Sequence, residues 1–199
     1  MQRQVVLALV VIVALAVALS EPDIRAQTAE PRTLDDPEAY AVYAALLPGE
    51  WAIRNARAKR LVFQKETAVT SGCAPTGEAL QTDWKPTVDN FWAENARSHL
   101  LSEGFPLGIP YVAVASEEIR ALFGNRLGWD LFYQRFPDSG GYIVVSAVGF
   151  DAGKRRAMVQ LSSSYGMLGA YRRFYFLTRT DSAWRETKIP GVSACIVMS

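Results

Sequence analysis

Residues 141–189 decide the fold of this chain, and they read GYIVVSAVGFDAGKRRAMVQLSSSYGMLGAYRRFYFLTRTDSAWRETKI. The stretch contains four runs rich in β-branched and aromatic residues, which are typical of strands: Tyr142 to Phe150, Arg155 to Tyr165, Ala170 to Thr180 and Trp184 to Ile189. Short segments with the composition of turns separate these runs. Because short turns join antiparallel strands, the stretch predicts a meander of four strands, with Ala194 to Met198 as a candidate fifth.

Helix signals occupy the residues before this stretch. Asp35-Asp36-Pro37 places an acidic cap before a proline at the first helical position, and it predicts a helix that ends at Pro48-Gly49. Apolar residues at three- and four-residue intervals predict a second helix from Lys85 to Leu101. Shorter elements complete the prediction, with strands at Arg60 to Val69 and Tyr111 to Ala115 and helices at Ser116 to Phe123 and Trp129 to Phe136.

The order of these elements predicts the fold class. Because helices come first and a run of strands follows, the class is α+β, with N-terminal helices packed on a C-terminal antiparallel β-meander of four to five strands. Residues on the apolar sides of the elements are expected to form the core: Leu61, Phe63, Phe91, Phe123, Val159, Phe174 and Phe176.

The N-terminus has the pattern of an export signal. Arg3 precedes an unbroken apolar run from Val5 to Leu19, and Ser20-Glu21-Pro22 follows it. The run is shorter than the roughly 20 residues that span a bilayer, which favours a cleaved secretory signal. We therefore predict a signal peptide at residues 1–20, with cleavage after Ala26 as the alternative.

This signal sets the expected domain organisation and location. A flexible tether at residues 21–34 and a single α+β domain at residues 35–199 follow the signal. The expected location is secreted or periplasmic, in a bacterial cell envelope. An uncleaved N-terminal anchor remains the alternative, and it would be the only contact with a membrane.

Charge and composition exclude several classes of protein. The chain of 199 residues carries 21 Lys and Arg against 20 Asp and Glu, a formal net charge of +1. A near-neutral balance argues against a nucleic-acid binder and against a polybasic membrane-surface protein. Half of the residues are hydrophobic, which is enough for a core and excludes disorder.

Cys73 and Cys195 are the only cysteines. In an oxidising compartment the simplest state for two cysteines is one disulfide, and two separate buried thiols are the alternative. One histidine and two cysteines cannot fill a four-ligand zinc site without a carboxylate. We therefore expect no metal and no cofactor.

The usual catalytic patterns do not emerge from the sequence. Gly149 to Lys154 has three residues between its glycines where a phosphate loop has four, so a hairpin turn is favoured. His99, the only histidine, is expected to be a partly exposed residue of the second helix. Asp35-Asp36 and Glu117-Glu118 lie where helix N-termini favour negative charge. No catalytic residue is predicted.

One surface of the meander is a candidate ligand site. Alternation along the third strand places Tyr171, Arg173, Tyr175 and Arg179 on one face, and the second strand offers Ser162 and Ser164. Aromatic, guanidinium and hydroxyl groups together suit an anionic or sugar-like ligand. An ordinary solvated face, with arginines covering tyrosines, is the alternative.

A set of packing and turn residues also follows a known pattern. It comprises Cys73, Phe91, Phe123, Trp129, Phe132-Tyr133, Pro137-x-Ser139-x-Gly141, Ser146-x-Val148-Gly149-Phe150, Ala157 and Trp184. From about Tyr40 onward, the chain thus resembles exported bacterial proteins of unknown function. The resemblance implies export and brings no activity or catalytic residue with it.

These observations favour an exported, non-enzymatic binding or cell-envelope interaction domain. Its partner would be a small molecule, a glycan or an envelope protein, and no nucleic acid is expected. The alternative is a hydrolase that acts on an envelope polymer or glycan through carboxylates.

Overall fold

The computed structural model describes residues 31–54, 58–70, 73–124, 126–167 and 169–198. The signal peptide predicted at residues 1–20 and most of the predicted tether lie outside these residues. Within the described ranges, no helix is both long enough and apolar enough to cross a membrane.

The described residues contain four α-helices and ten β-strands. The helices are α1 (Pro37–Arg54), α2 (Lys85–Glu94), α3 (Ser116–Leu122) and α4 (Gly128–Arg135). The first five strands are β1 (Arg32–Leu34), β2 (Arg60–Gln64), β3 (His99–Leu101), β4 (Tyr111–Val114) and β5 (Ser139–Val145). The last five are β6 (Gly149–Phe150), β7 (Arg156–Gly166), β8 (Gly169–Thr180), β9 (Ala183–Glu186) and β10 (Val197–Met198).

Eight of the described strands form one sheet, whose main order is β10-β8-β7-β5-β2-β4. Strands β5, β7, β8 and β9 pair antiparallel in succession, as the meander predicts. The prediction of a purely antiparallel sheet was wrong, because β2 runs parallel to both β4 and β5. The connections explain this difference: helices lie between β2 and β4 and between β4 and β5, and parallel neighbours need such long crossovers. The α+β class is confirmed, but the helices are spread along the chain.

Several predicted elements have different bounds in the structure, and the strand predicted from Arg60 to Val69 already ends at Gln64. Helix α1 continues past Pro48 to Arg54. The second helix ends at Glu94, and His99–Leu101 instead forms β3, which pairs in parallel with β1. The strand predicted from Tyr142 to Phe150 is interrupted at residues 146–148 and yields β5 and β6.

Helices cover both faces of the large sheet. On one face, here called the α1 face, Val159, Leu161 and Tyr175 pack with residues of α1 such as Val42 and Leu46. On the opposite face, here called the α2 face, two clusters share the surface. Met158, Phe174 and Phe176 pack with Trp84 and Phe91 at α2, whereas Val62 and Tyr142 pack with Ile119 and Phe132 of α3 and α4.

The predicted core is confirmed at six of its seven positions, which are Leu61, Phe63, Phe91, Val159, Phe174 and Phe176. The seventh, Phe123, is half-buried and lies edge-on to Trp129, with ring centroids 4.8 Å apart.

The predicted disulfide between Cys73 and Cys195 is confirmed, with Cα atoms 6.0 Å apart. It fastens the segment before α2 to the segment before β10. Backbone hydrogen bonds join the same two segments, from the Thr76 amide to the Ser193 carbonyl (3.2 Å) and from the Ser193 amide to the Thr76 carbonyl (2.9 Å). The C-terminal segment is thus held both covalently and by hydrogen bonds.

Candidate functional site

A cleft of about 580 Å³ opens between the N-terminus of α1, helix α2 and the turn that joins β6 to β7. We call it the α1–α2 cleft. Its polar lining comes from Asp36, Asn90, Glu94, Asp151 and Lys154, and Val148 and Phe150 contribute to its apolar part. A volume of this size suits a small-molecule ligand.

The floor of the cleft is an irregular edge of the sheet. Strand β6 pairs only with β7 among the described strands, so the backbone of residues 147–150 would lack partners on its outer side. The side-chain amides of Asn90 in α2 and of Asn95, which directly follows α2, supply them. Asn90 Oδ1 accepts the amide of Phe150 (2.7 Å), and Asn95 Oδ1 accepts the amide of Ala147 (2.9 Å), while Asn95 Nδ2 donates to the Ala147 carbonyl (3.1 Å). The two asparagines therefore take the place of a neighbouring strand.

Glycine at position 149 allows this close approach of strand and helix. A Cβ atom on Gly149 would lie 2.4 Å from the Cα atom of Phe91. From the α1 face, the Tyr43 hydroxyl donates to the carbonyl of Ser146 (2.7 Å), and burial raises the pKa of Tyr43 well above its usual range. The floor of the cleft is thus fixed from both sides.

An ion pair closes one side of the cleft. Asp36 caps α1 by accepting the amide of Glu38 (3.1 Å), and the Lys154 Nζ atom lies 2.8 Å from both Asp36 carboxylate oxygens. The Nζ atom also lies 5.3 Å from the ring centroid of Phe150. Asp151 Oδ1 accepts the amides of Arg155 and Arg156 and so fixes the turn that presents Lys154. The ammonium group is therefore held in one position at the rim.

Glu94 lines the opposite side of the cleft, at the end of α2. Its carboxylate Oε2 lies 3.9 Å from His99 Nε2, and the same nitrogen lies 2.9 Å from the Glu94 carbonyl oxygen. His99 was expected on a helix and partly exposed, but it lies in β3 and is buried. Its backbone amide donates to Thr67 Oγ1 (2.9 Å), which fixes the strand that carries it. The cleft thus combines three carboxylates, an amide and an ammonium group with an apolar floor.

Four of the predicted ligand residues lie on the α1 face. Tyr171 and Tyr175 are buried there, and the Tyr171 hydroxyl donates to the buried carboxylate of Glu50. Arg173 pairs with Glu186 and lies over the Tyr175 ring, 4.2 Å from its centroid. Arg179 pairs with Glu38 of α1 at 3.1 Å. Protein groups thus already contact all four side chains, although the Tyr175 hydroxyl and the Arg173 Nε atom have no hydrogen-bond partner among the described residues.

The two predicted serines lie on the other face of the sheet. The register pairs Ser162 with Arg172 and Ser164 with Ala170, whereas Arg173 pairs with Leu161. Directly opposite residues of an antiparallel pair share a face, so Ser162 and Ser164 belong to the α2 face. The structure does not bring the six predicted residues together, and their binding of a ligand stays a prediction.

Sequence reasoning did not assign the cleft. Asp36 was interpreted as a helix cap and residues 149–154 as a hairpin turn, and both interpretations agree with the structure. No signal in the sequence joins Asp36, Glu94 and Lys154, which meet only through the packing of α1, α2 and β6. Among the described residues, no group of three or more His, Cys, Asp or Glu side chains could hold a metal ion.

Comparison with known proteins adds no assignment: the chain matches no protein-family model, no curated protein and no solved structure.

Proposed function

We propose that this protein is an exported, non-enzymatic binding domain that takes a hydroxyl-rich small molecule or glycan segment into the α1–α2 cleft. The observation that carries the proposal is the fixed floor of the cleft, on which polar groups converge around an apolar surface. A preorganised site spends little binding energy on ordering itself.

The chemistry of the lining favours a sugar-like ligand. Glu94 offers carboxylate oxygens that accept hydrogen bonds from hydroxyl groups. Asn90 Oδ1 is engaged by Phe150, while Asn90 Nδ2 donates to no described residue and is available to a ligand oxygen. Leu34, Pro86 and Ala152 provide the accessible apolar surface on which the C–H face of a sugar ring can lie, above the buried Val148 and Phe150.

Export is part of the same proposal. It rests on the apolar run from Val5 to Leu19 and is supported by the disulfide, since disulfides persist in oxidising compartments. Fractionation of the producing cells, followed by N-terminal sequencing, is expected to give an extracytoplasmic chain that begins at Glu21 or Gln27. An intact chain that begins at Met1 and is found in the cytosol would contradict export.

A second candidate is a hydrolase acting on an envelope polymer. The observation that favours it is that two carboxylates, Asp36 and Glu94, line one cleft. Glycoside hydrolases use such a pair as acid and base or nucleophile. The two candidates differ in whether the bound polymer leaves the protein intact or shortened.

The test is retention of soluble peptidoglycan fragments in equilibrium dialysis, read by mass spectrometry. The processed wild-type protein is expected to retain a subset of fragments unchanged. Glu94→Gln should weaken retention about tenfold or more, since hydrogen bonds to charged groups contribute about 1.5–3 kcal/mol. Glu117→Gln, an exposed carboxylate on α3, is the matched control and should bind as the wild type does.

Three outcomes separate the candidates. Retention that Glu94→Gln weakens and Glu117→Gln does not supports the binding domain. Fragments that are shortened by the wild type and left intact by Glu94→Gln support the hydrolase. No retention, or equal retention by all three proteins, contradicts both uses of the cleft.

A further inference from the structure

Arg172 on β8 has a guanidinium group that the described residues do not satisfy. Its Nη1 atom is shielded from solvent and has no hydrogen-bond partner, and no described carboxylate lies within ion-pair distance of it. The side chain as a whole is half-buried. A guanidinium is charged, and a buried N–H donor that has lost water without gaining a partner is unfavourable. Arg172 is therefore a charge without a countercharge in this part of the chain.

Other arginines of the same hairpin have partners, although the Arg173 Nε atom is also buried without a hydrogen-bond partner among the described residues. Arg173 pairs with Glu186 and Arg179 with Glu38, while Arg156 donates to the Asp83 carbonyl and lies over the Trp84 ring. Arg172 points to the α2 face, between the cluster around Phe174 and the cluster around Tyr142, whereas Arg156 on the same face already has partners at Asp83 and Trp84. The guanidinium without an ion-pair partner thus lies on the α2 face, between these two clusters.

Hydroxyl-bearing residues lie on the β7 side of Arg172, and Val197 of β10 lies opposite it on the other side. Ser162 lies directly opposite Arg172 on β7, and Ser164 is two residues further along the same face. Both serines are half-buried. The Ser162 hydroxyl lies 2.9 Å from Thr70 Oγ1, which itself donates to Gln160 Oε1 (3.0 Å). A guanidinium beside small hydroxyl groups is an arrangement that binds oxyanions, because all of these groups can donate hydrogen bonds.

We propose that Arg172, Ser162 and Ser164 form a binding site for an oxyanion, a phosphate, sulfate or carboxylate group, on the α2 face. The site is separate from the α1–α2 cleft, with which it shares no residue. Arg172 supplies the charge and a fork of two N–H donors, and Ser164 supplies a hydroxyl donor. The Ser162 hydroxyl can turn from Thr70 to the anion at the cost of one neutral hydrogen bond.

The test is an NMR titration of the full processed chain with inorganic phosphate at constant ionic strength. The wild type is expected to show saturable shifts of the Arg172 Nε–Hε signal and of the Ser162 and Ser164 amides. Arg172→Met should weaken binding at least tenfold, and Ser164→Ala several-fold. Arg185→Met, which removes an exposed arginine on β9, is the matched control and should leave the titration unchanged.

A second measurement separates a site from a structural role. In phosphate-free buffer, Arg172→Met should melt at the same temperature as the wild type or higher, since it removes a shielded N–H group that has no partner among the described residues. Phosphate at about ten times its dissociation constant should raise the melting temperature of the wild type by about 3–6 °C and leave that of Arg172→Met unchanged. Repetition with sulfate and with acetate tells which oxyanion fits best.

Other results would overturn the proposal. Shifts that do not saturate, or that involve Arg185 as strongly as Arg172, would show a general salt effect only. An Arg172→Met protein that melts well below the wild type, with no phosphate effect on either, would show that Arg172 is structural. Should Arg172→Met fail to fold, the wild-type titration and Ser164→Ala still decide between these outcomes.

Discussion

Reduction of the Cys73–Cys195 disulfide should lower the stability of this fold by a large amount. The two cysteines are separated by 122 residues. For a closed loop of that length, the chain-entropy model gives a loss of about 5 kcal/mol in the free energy of unfolding, which is an upper value. For a domain of this size, such a loss corresponds to a fall of about 10–20 °C in the melting temperature.

The folded state should survive reduction, because other contacts hold the same segments. The hydrogen bonds between Thr76 and Ser193 remain, as does the bond from the Phe174 amide to the Ala194 carbonyl (3.2 Å). Reduction therefore lowers the stability mainly through the unfolded chain, which gains conformational entropy when the disulfide is broken.

The assay is urea unfolding of oxidised and of reduced, alkylated protein, followed by tryptophan fluorescence. Reduced protein is expected to unfold at a lower urea concentration and with a steeper dependence on urea, because its unfolded state is more expanded. The double variant Cys73→Ala/Cys195→Ala is the control for alkylation and should behave as the reduced protein does. A loss below about 1 kcal/mol with native circular dichroism would refute the reasoning.

Two further predictions concern the glycines and the buried tyrosines. Gly149→Ala should lower the free energy of unfolding by about 1–3 kcal/mol or more, because the new Cβ would overlap Phe91. Gly49→Ala should raise it by about 0.5–1 kcal/mol, because a Cβ at this position of α1 meets open space. Equal effects of the two substitutions in a denaturant titration would contradict the close approach of β6 and α2. Burial raises the pKa of Tyr43 and of Tyr175, so their contribution to stability is complete below the unfolded value of about 10 and is lost as the pH rises above it. The free energy of unfolding should therefore fall as the pH rises above about 10, and it should fall less steeply in Tyr43→Phe; a flat profile in unfolding measured across that range would contradict the burial of the two tyrosines.

The antiparallel part of the fold follows from local patterns. Strands β7 and β8 read as long alternating runs joined by a short turn, and short turns leave only an antiparallel arrangement. The disulfide was predictable because only two cysteines exist. The parallel placement of β2 beside β4 and β5 was not predictable, since crossovers through helices leave the order of the strands open.

Helix α2 shows how tertiary contacts override the helical spacing of apolar residues in the sequence. Apolar and polar spacing continues the helical pattern through Asn95 to His99. In the structure, Asn95 turns to the backbone of Ala147, and residues 99–101 pair with β1. The hydrogen bonds available from distant segments decided where the helix ends, and no local signal contains them.

The candidate ligand face shows what the alternation of side chains along a strand can and cannot predict. Within one strand, alternation correctly separates Arg172 from Arg173. Which residues of β8 lie on the same face as Ser162 depends on the register between β7 and β8, and a shift of that register by one residue exchanges the two faces. The observed register places Ser162 opposite Arg172, so the hydroxyl groups adjoin a different arginine from the one predicted.

The central claim, that the α1–α2 cleft binds a ligand without changing it, is tested most directly by NMR titration of the isotope-labelled processed chain with soluble peptidoglycan fragments. We expect saturable amide shifts at Asn90, Glu94, Phe150 and Lys154, with the added fragments recovered intact. An absence of shifts at these four residues over the whole titration, or fragments that are shortened during it, would contradict the account.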